Sequence, residues 1–192
     1  MRRFHRQARR GVAAIELAFV FMLFVIPLMF GIWEVGRLVQ VQQIVSNAAR
    51  EGARISAQGF TINSSGAPTQ IKVSTGPTNV KDMVYEYLYG AGLTQLAPSD
   101  VQVTFEFKTS RHTDYVPNSL DPPGTSYPAG TKPPDPCYGE KGQLFVVTVS
   151  IPWSKVRWIN TGFINTDRIH FTVTWEMLLD ERFQVNEQLP TW

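Results

Sequence analysis

LAFVFMLFVIPLMFGI, residues 17–32, decides the fold of this chain. These sixteen consecutive residues carry no charge and no ordinary polar side chain. Extended back to Val12 and on to Trp33, the run reaches 22 residues, interrupted only by Glu16. A helix of that length rises about 33 Å, close to the ~30 Å hydrocarbon core of a bilayer. It also satisfies its own backbone polar groups, which lipid requires. The run predicts a transmembrane helix over residues 12–33, kinked at Pro27 and anchored at the interface by Trp33. A core helix of a soluble protein would seldom be this long and apolar on all faces. A secretory signal needs a shorter core with small residues after it, whereas this run passes into Trp33-Glu34-Val35-Gly36-Arg37.

Upstream, the first ten residues hold Arg2, Arg3, Arg6, Arg9 and Arg10 and no acid. Such a flank stays in the cytoplasm, which places everything after Glu34 on the far side of the membrane. With those five of the 18 basic residues set aside, 13 basic face 16 acidic side chains, so the body is net −3. A nucleic-acid partner is not expected: the arginines have no interleaved aromatics and run straight into the apolar segment. The single cysteine, Cys137, excludes an intrachain disulfide and the Cys-based tetrahedral zinc sites.

Glu16 is the anomaly. A carboxylate in an apolar segment costs up to roughly 2.5–3.5 kcal/mol at the bilayer centre and less near the edge. The helix macrodipole would offset about 0.3–1 kcal/mol of this in a first turn, and a positive partner would offset more. Arg9-Arg10-Gly11 stands just before Val12, and Glu16 is the fifth residue counted from Val12. The arrangement resembles the prepilin peptidase recognition pattern. That resemblance implies a basic leader over residues 1–11, a cut between Gly11 and Val12, and pairing of the freed amine with Glu16 during assembly. Glycine at the cut suits entry of an extended backbone into a protease. The family often has an aromatic residue after the glutamate, where this chain has Leu17. The competing reading is an uncut signal anchor in which Glu16 snorkels or pairs with Arg9 or Arg10.

Downstream the helical pattern continues. Apolar or small residues recur at Val35, Leu38, Val41 or Gln42, Val45, Ala48, Gly52 and Ile55, with Arg37, Gln40, Gln43, Asn47, Arg50, Glu51 and Arg54 on the opposite face. Ala14/Ala18, Ala48/Gly52 and Ala49/Ala53 are small pairs four apart that permit close packing. A helix over residues 12–57, about 70 Å long, makes a membrane span (12–33) with a soluble continuation (34–57).

The stretch from Gly11 to Arg54 resembles the N-terminal signature of TadE-like proteins. The residues that carry the likeness are Gly11 with Glu16, Pro27, Gly31 through Glu34, Gly36 and Arg37, then Asn47, Ala48, Arg50, Glu51, Gly52 and Arg54. The resemblance implies a minor pseudopilin of the tight-adherence machinery, which builds thin Flp-type pili for adhesion and biofilm formation. Its implied partners are a prepilin peptidase, other pilins or pseudopilins, inner-membrane platform proteins and the lipid bilayer. No cofactor is expected, and an anchored enzyme is disfavoured because the sequence shows no catalytic motif. An unprocessed membrane-anchored binding module, outside any pilus, is the alternative.

Residues 58–192 are expected to form an extracytoplasmic α+β domain. Residues 59–76 read as a loop, and residues 80–89 as a helix capped by Asn79. Three strands come next, at about 101–108, 143–151 and 168–178. Val101, Val103, Phe105 and Phe107 point inward on the first. Phe145, Val147, Val149 and Ile151 do so on the second, and Ile169, Phe171, Val173, Trp175 and Met177 on the third. The expected fold is α+β: a long helix carrying a roughly three-stranded antiparallel sheet. Residues 110–142 are Pro-rich and read as an exposed excursion with Tyr115, Tyr127 and Tyr138 available to a partner. His5, His112 and His170 form no metal motif, and Asp114, Asp121 and Asp135 lack calcium-loop spacing.

Overall fold

A computed structural model describes residues 4–108, 135–139, 141–160, 162 and 164–178, with side chains from residue 11 onward. One helical rod dominates it: α1 (Phe4–Val20), a π turn (Phe21–Val25) and α2 (Ile26–Ser56). The rod begins at Phe4, not at Val12, so residues 4–11 continue the helix. Pro27 has no N–H, and its ring crowds the carbonyl four residues back. Where a kink was expected, the helix widens into the π turn: the Ile26 N–H donates to Phe21 O, five residues upstream. Val12 through Phe24 are exposed on every face, as an apolar membrane span requires.

The second half of α2 is buried along one stripe. Val41, Val45, Ala48, Ala49 and Ala53 are inaccessible to solvent and form the floor of the core. The opposite-face assignment fails at Arg37, which is half-buried, and Val35 of the apolar face is exposed. The rod ends where Ser56 Oγ donates back to Gly52 O at 2.7 Å, and Gly59 turns the chain at φ 65°.

Residues 59–76 are not a plain loop. They contain a hairpin of β1 (Phe60–Ile62) and β2 (Pro68–Gln70), each three residues long. Asn63 Oδ1 holds its turn, accepting from the N–H groups of Ser65 and Ala67. Strands this short carry no readable alternation. Helix α3 (Val80–Gly90) forms where Asn79 Oδ1 accepts from the Asp82 N–H at 2.8 Å. Val80, Val84 and Leu88, at i, i+4 and i+8, are its buried face.

The sheet is antiparallel in the order β3 (Gln102–Phe107), β4 (Leu144–Pro152), β5 (Arg168–Glu176). Thr104 pairs with Thr148, and Thr148 with Thr172. In central β4, Phe145, Val147, Val149 and Ile151 are fully buried while alternate residues are not. The sheet lays that face on α2, with α3 packed alongside. In β5 the alternation weakens: Ile169 is buried and Phe171 and Val173 are partly so, but Trp175, expected inside, is 38% exposed. A four-residue helix, α4 (Trp153–Val156), comes directly after β4.

The Pro-rich excursion is corrected at its end. A single 3-10 turn (Pro136–Tyr138) docks on the core with Pro136, Cys137 and Tyr138 all buried. Tyr138 is therefore no surface contact residue, and Asp135 Oδ1 accepts from the Val73 N–H at 2.9 Å. Asp114, Asp121, His112, Tyr115 and Tyr127 lie outside the described residues.

Candidate functional site

The family-like residues all lie on the rod, and the structure separates them by what they touch. Gly11, Val12 and Glu16 are exposed on α1. A β-carbon on Gly11 would meet nothing within 4 Å. The Gly11–Val12 bond sits inside the helix, whereas a protease takes an extended backbone. Glycine weakens a helix by about 1 kcal/mol relative to alanine, so this bond is a locally favourable place to unwind. Val12 and Glu16 are one turn apart on the same face. The helix from Phe4 puts Glu16 more than three turns from the N-terminus, beyond the reach of the macrodipole. The macrodipole contribution expected at Glu16 would arise only if Val12 were the first residue of the helix. Among the described side chains, which begin at residue 11 and so leave out Arg9 and Arg10, Glu16 has no ion-pair partner.

Further along, Pro27 precedes Gly31 and Gly36, where an added β-carbon would again meet nothing. Nothing among the described residues requires glycine at either position. Asn47 and Arg50 are exposed and line an open groove of about 640 Å³ of mixed character, with Gln42, Gln43, Ser46 and His170 beside Val39 and Phe171. Other members serve the fold. Ala48 is buried, and a β-carbon on Gly52 would stand 2.9 Å from Val84 Cγ2. Glu51 and Arg54 form an ion pair at 2.6 Å. The Arg54 hydrogen bond holds the Glu51 carboxyl below its usual pKa, and Glu51 raises that of Arg54.

Glu34 and Arg37 have a different role, which sequence reasoning missed. Glu34 is only 6% exposed, and neither of its carboxylate oxygens has a hydrogen-bond partner among the described residues. It faces the small domain across a cavity lined also by Arg37, Trp153, Arg157 and Trp158. Trp153 is 1% exposed, and its indole N–H likewise finds no partner there. Arg37 Nε donates to Val156 O at 3.0 Å, and its guanidinium lies 4.5 Å from the centre of the Trp158 ring. Burial lowers the Arg37 pKa from the ordinary arginine value. Trp158 in turn meets Trp33 edge-on, ring centres 6.2 Å apart. The signal lay in Trp153-Ser-Lys-Val-Arg-Trp158, whose basic and aromatic residues match the rod's Trp33 and Arg37.

The cavity beside Glu34 has about 10 Å³ of free space, room for about one water and no substrate. Among the described residues, no group of three His, Cys, Asp or Glu side chains is placed to hold a metal ion. Helix Gly11–Ser56 is long and apolar enough to cross a membrane. Comparison with known proteins gives one finding: residues 11–54 match the model of the TadE-like protein family. No curated protein and no solved structure matches the chain. The matched segment starts at the glycine before Val12 and ends two residues short of the rod's end, so the rod from Gly11 to Arg54 is a TadE-like protein family domain.

Proposed function

We propose that this chain is a structural minor pseudopilin of a tight-adherence, Flp-type pilus assembly system, supporting adhesion and biofilm formation. The carrying observation is the family match over residues 11–54. It falls on a helix that is exposed and apolar at its membrane end and rooted in a small α+β domain at the other. In this reading the arginine flank stays cytoplasmic and the α+β domain lies outside. A prepilin peptidase cuts after Gly11, and Val12 becomes the new N-terminus. The family-like residues without an internal role, Gly31, Gly36, Asn47 and Arg50, then face other pilins, pseudopilins and the inner-membrane platform. The chemistry is assembly, not turnover.

The test is the mass of the N-terminal peptide of the protein isolated from its native host. Val12 as the first residue supports the reading. An intact leader, in cells with an active prepilin peptidase, would sink it and leave an uncut membrane-anchored module.

A further inference from the structure

The α+β domain carries an exposed apolar patch where the rod leaves its apolar run. Trp158 is 57% exposed and Ile159 38%, beside the rod's Phe30 and Trp33, at 41% and 53%. Ile164 reaches farther along the rod, lining an apolar groove with Leu28, Gly31, Ile32 and Val35. Residues of the domain thus stand beside the last turns of the span itself.

The contacts set the depth. Trp33 closes the apolar run, and Arg37 stands one turn, about 6 Å, beyond it. Trp158 touches both: its ring centre is 6.2 Å from that of Trp33 and 4.5 Å from the Arg37 guanidinium. The polar layer on each side of a bilayer is roughly 5–7 Å thick. Trp158 therefore lies within that layer when Trp33 marks its inner edge. The chemistry suits the position: indole rings favour the headgroup level. Lys155 is exposed and Arg157 partly so, its Nη1 donating to Asn160 Oδ1 at 2.8 Å, and both place positive charge at the level of lipid phosphates. Of the acids at this end, Glu34 is buried toward the protein, while Asp167, whose carbonyl accepts from the Trp153 N–H, is exposed and stands against the two cations Lys155 and Arg157.

We propose that Trp158, Ile159 and Ile164 form a second membrane contact, seating the domain in the headgroup layer of the outer leaflet, with Lys155 and Arg157 over the phosphates. This holds the domain at a fixed height and rotation about its anchor. The inference rests on the membrane-span reading and is independent of any pilus role.

The full chain is placed in nanodiscs of mixed phosphatidylethanolamine and phosphatidylglycerol. Nitroxide labels go at Ile159→Cys, Ile164→Cys, Met22→Cys or Glu86→Cys, each in a Cys137→Ala background. Molecular oxygen concentrates in lipid and a nickel chelate in water, so their relative access reports depth. Labels at 159 and 164 are expected to favour oxygen, as at 22, while 86 favours nickel. Oxygen preference at 22 with nickel preference at 159 and 164 overturns the contact and leaves the span intact. Nickel preference at 22 removes the span and the contact with it. Shielding from both reagents, with dipolar broadening between labels, shows a second copy on the patch and also overturns the proposal. Should the cysteine variants fail to fold, brominated lipids quench the native tryptophans instead. Trp158→Phe is expected to reduce the quenched fraction; an unchanged fraction counts against the contact.

Discussion

Gly52 of the rod and Val84 of α3 approach so closely that a β-carbon on Gly52 would lie 2.9 Å from Val84 Cγ2 and 3.4 Å from Val80 Cγ1. Both neighbours are stiff at χ1 and buried, so neither swings aside. Gly52→Ala gains about 1 kcal/mol of helix propensity but meets an overpacking cost of about 1–3 kcal/mol, and the clash wins. We expect a net loss of about 1 kcal/mol in denaturant unfolding of the detergent-solubilised protein. Gly36→Ala, with nothing within 4 Å, is expected to cause no loss. Equal behaviour of the two variants would disprove the packing account.

That pair also shows how far the sequence could be read. Ala48, Gly52 and, in α3, Val80, Val84 and Leu88 announced their faces by helical spacing, although Met83 and Tyr87, which the same spacing puts inward, are exposed; β4 did so by alternation. Pro27 pointed to a kink, whereas the feature found just before it is a π turn, and sequence does not say whether a helix bends or widens by one residue. Trp175 kept to the alternation and still emerged exposed, since β5 is an edge strand among the described residues. Glu34 read as the polar residue ending a membrane span. Its burial is created by Trp153 and Trp158, more than a hundred residues away in the chain. A contact at that separation leaves no local periodicity. Gly11, Val12 and Glu16 were visible as a pattern, but the uncut helix around them was not.

Arg37 joins the rod to the domain in a way lysine cannot copy. Its Nε donates to Val156 O, Nη1 donates to Gln40, and its flat face lies against Trp158. Arg37→Lys keeps the charge but replaces a planar fork with a single ammonium. We expect a loss of about 1–2 kcal/mol from the missing hydrogen bond and weaker stacking. Thermal unfolding checks this, and a lysine variant of wild-type stability would show that charge alone suffices there.

Glu51 and Arg54 set a pH signature. The Glu51 pKa is depressed in the folded protein by its Arg54 partner. Its contribution is therefore fully present above the unfolded carboxyl value, about 4.3, and fades as pH falls through the lower folded value. Because Arg54 is exposed, the effect is small and screened by salt. Chemical denaturation between pH 6 and 3 should show a steeper loss for the wild type than for Glu51→Gln. The difference should disappear in about 1 M salt, where the screening length is about 3 Å. A pH slope identical in the two proteins would show that the pair contributes nothing to stability.

Glu16 offers the sharpest separation of anchoring from assembly. Replacing it with alanine removes the only charge in the span, and with it a burial cost of up to roughly 2.5–3.5 kcal/mol at mid-bilayer and less near the edge. Membrane insertion of Glu16→Ala should therefore be intact or improved, as read by carbonate extraction and protease protection of the outer domain. What the variant loses is the acceptor one turn from Val12, on the same helix face, for an α-amino group freed by a cut after Gly11. Pili counted by electron microscopy are expected to fall sharply while the anchored protein persists. Glu16→Gln should resemble alanine in this count, because an amide retains the shape but cannot neutralise an ammonium. Normal piliation in both variants would show that the carboxylate has no part in assembly, even though the anchor stands.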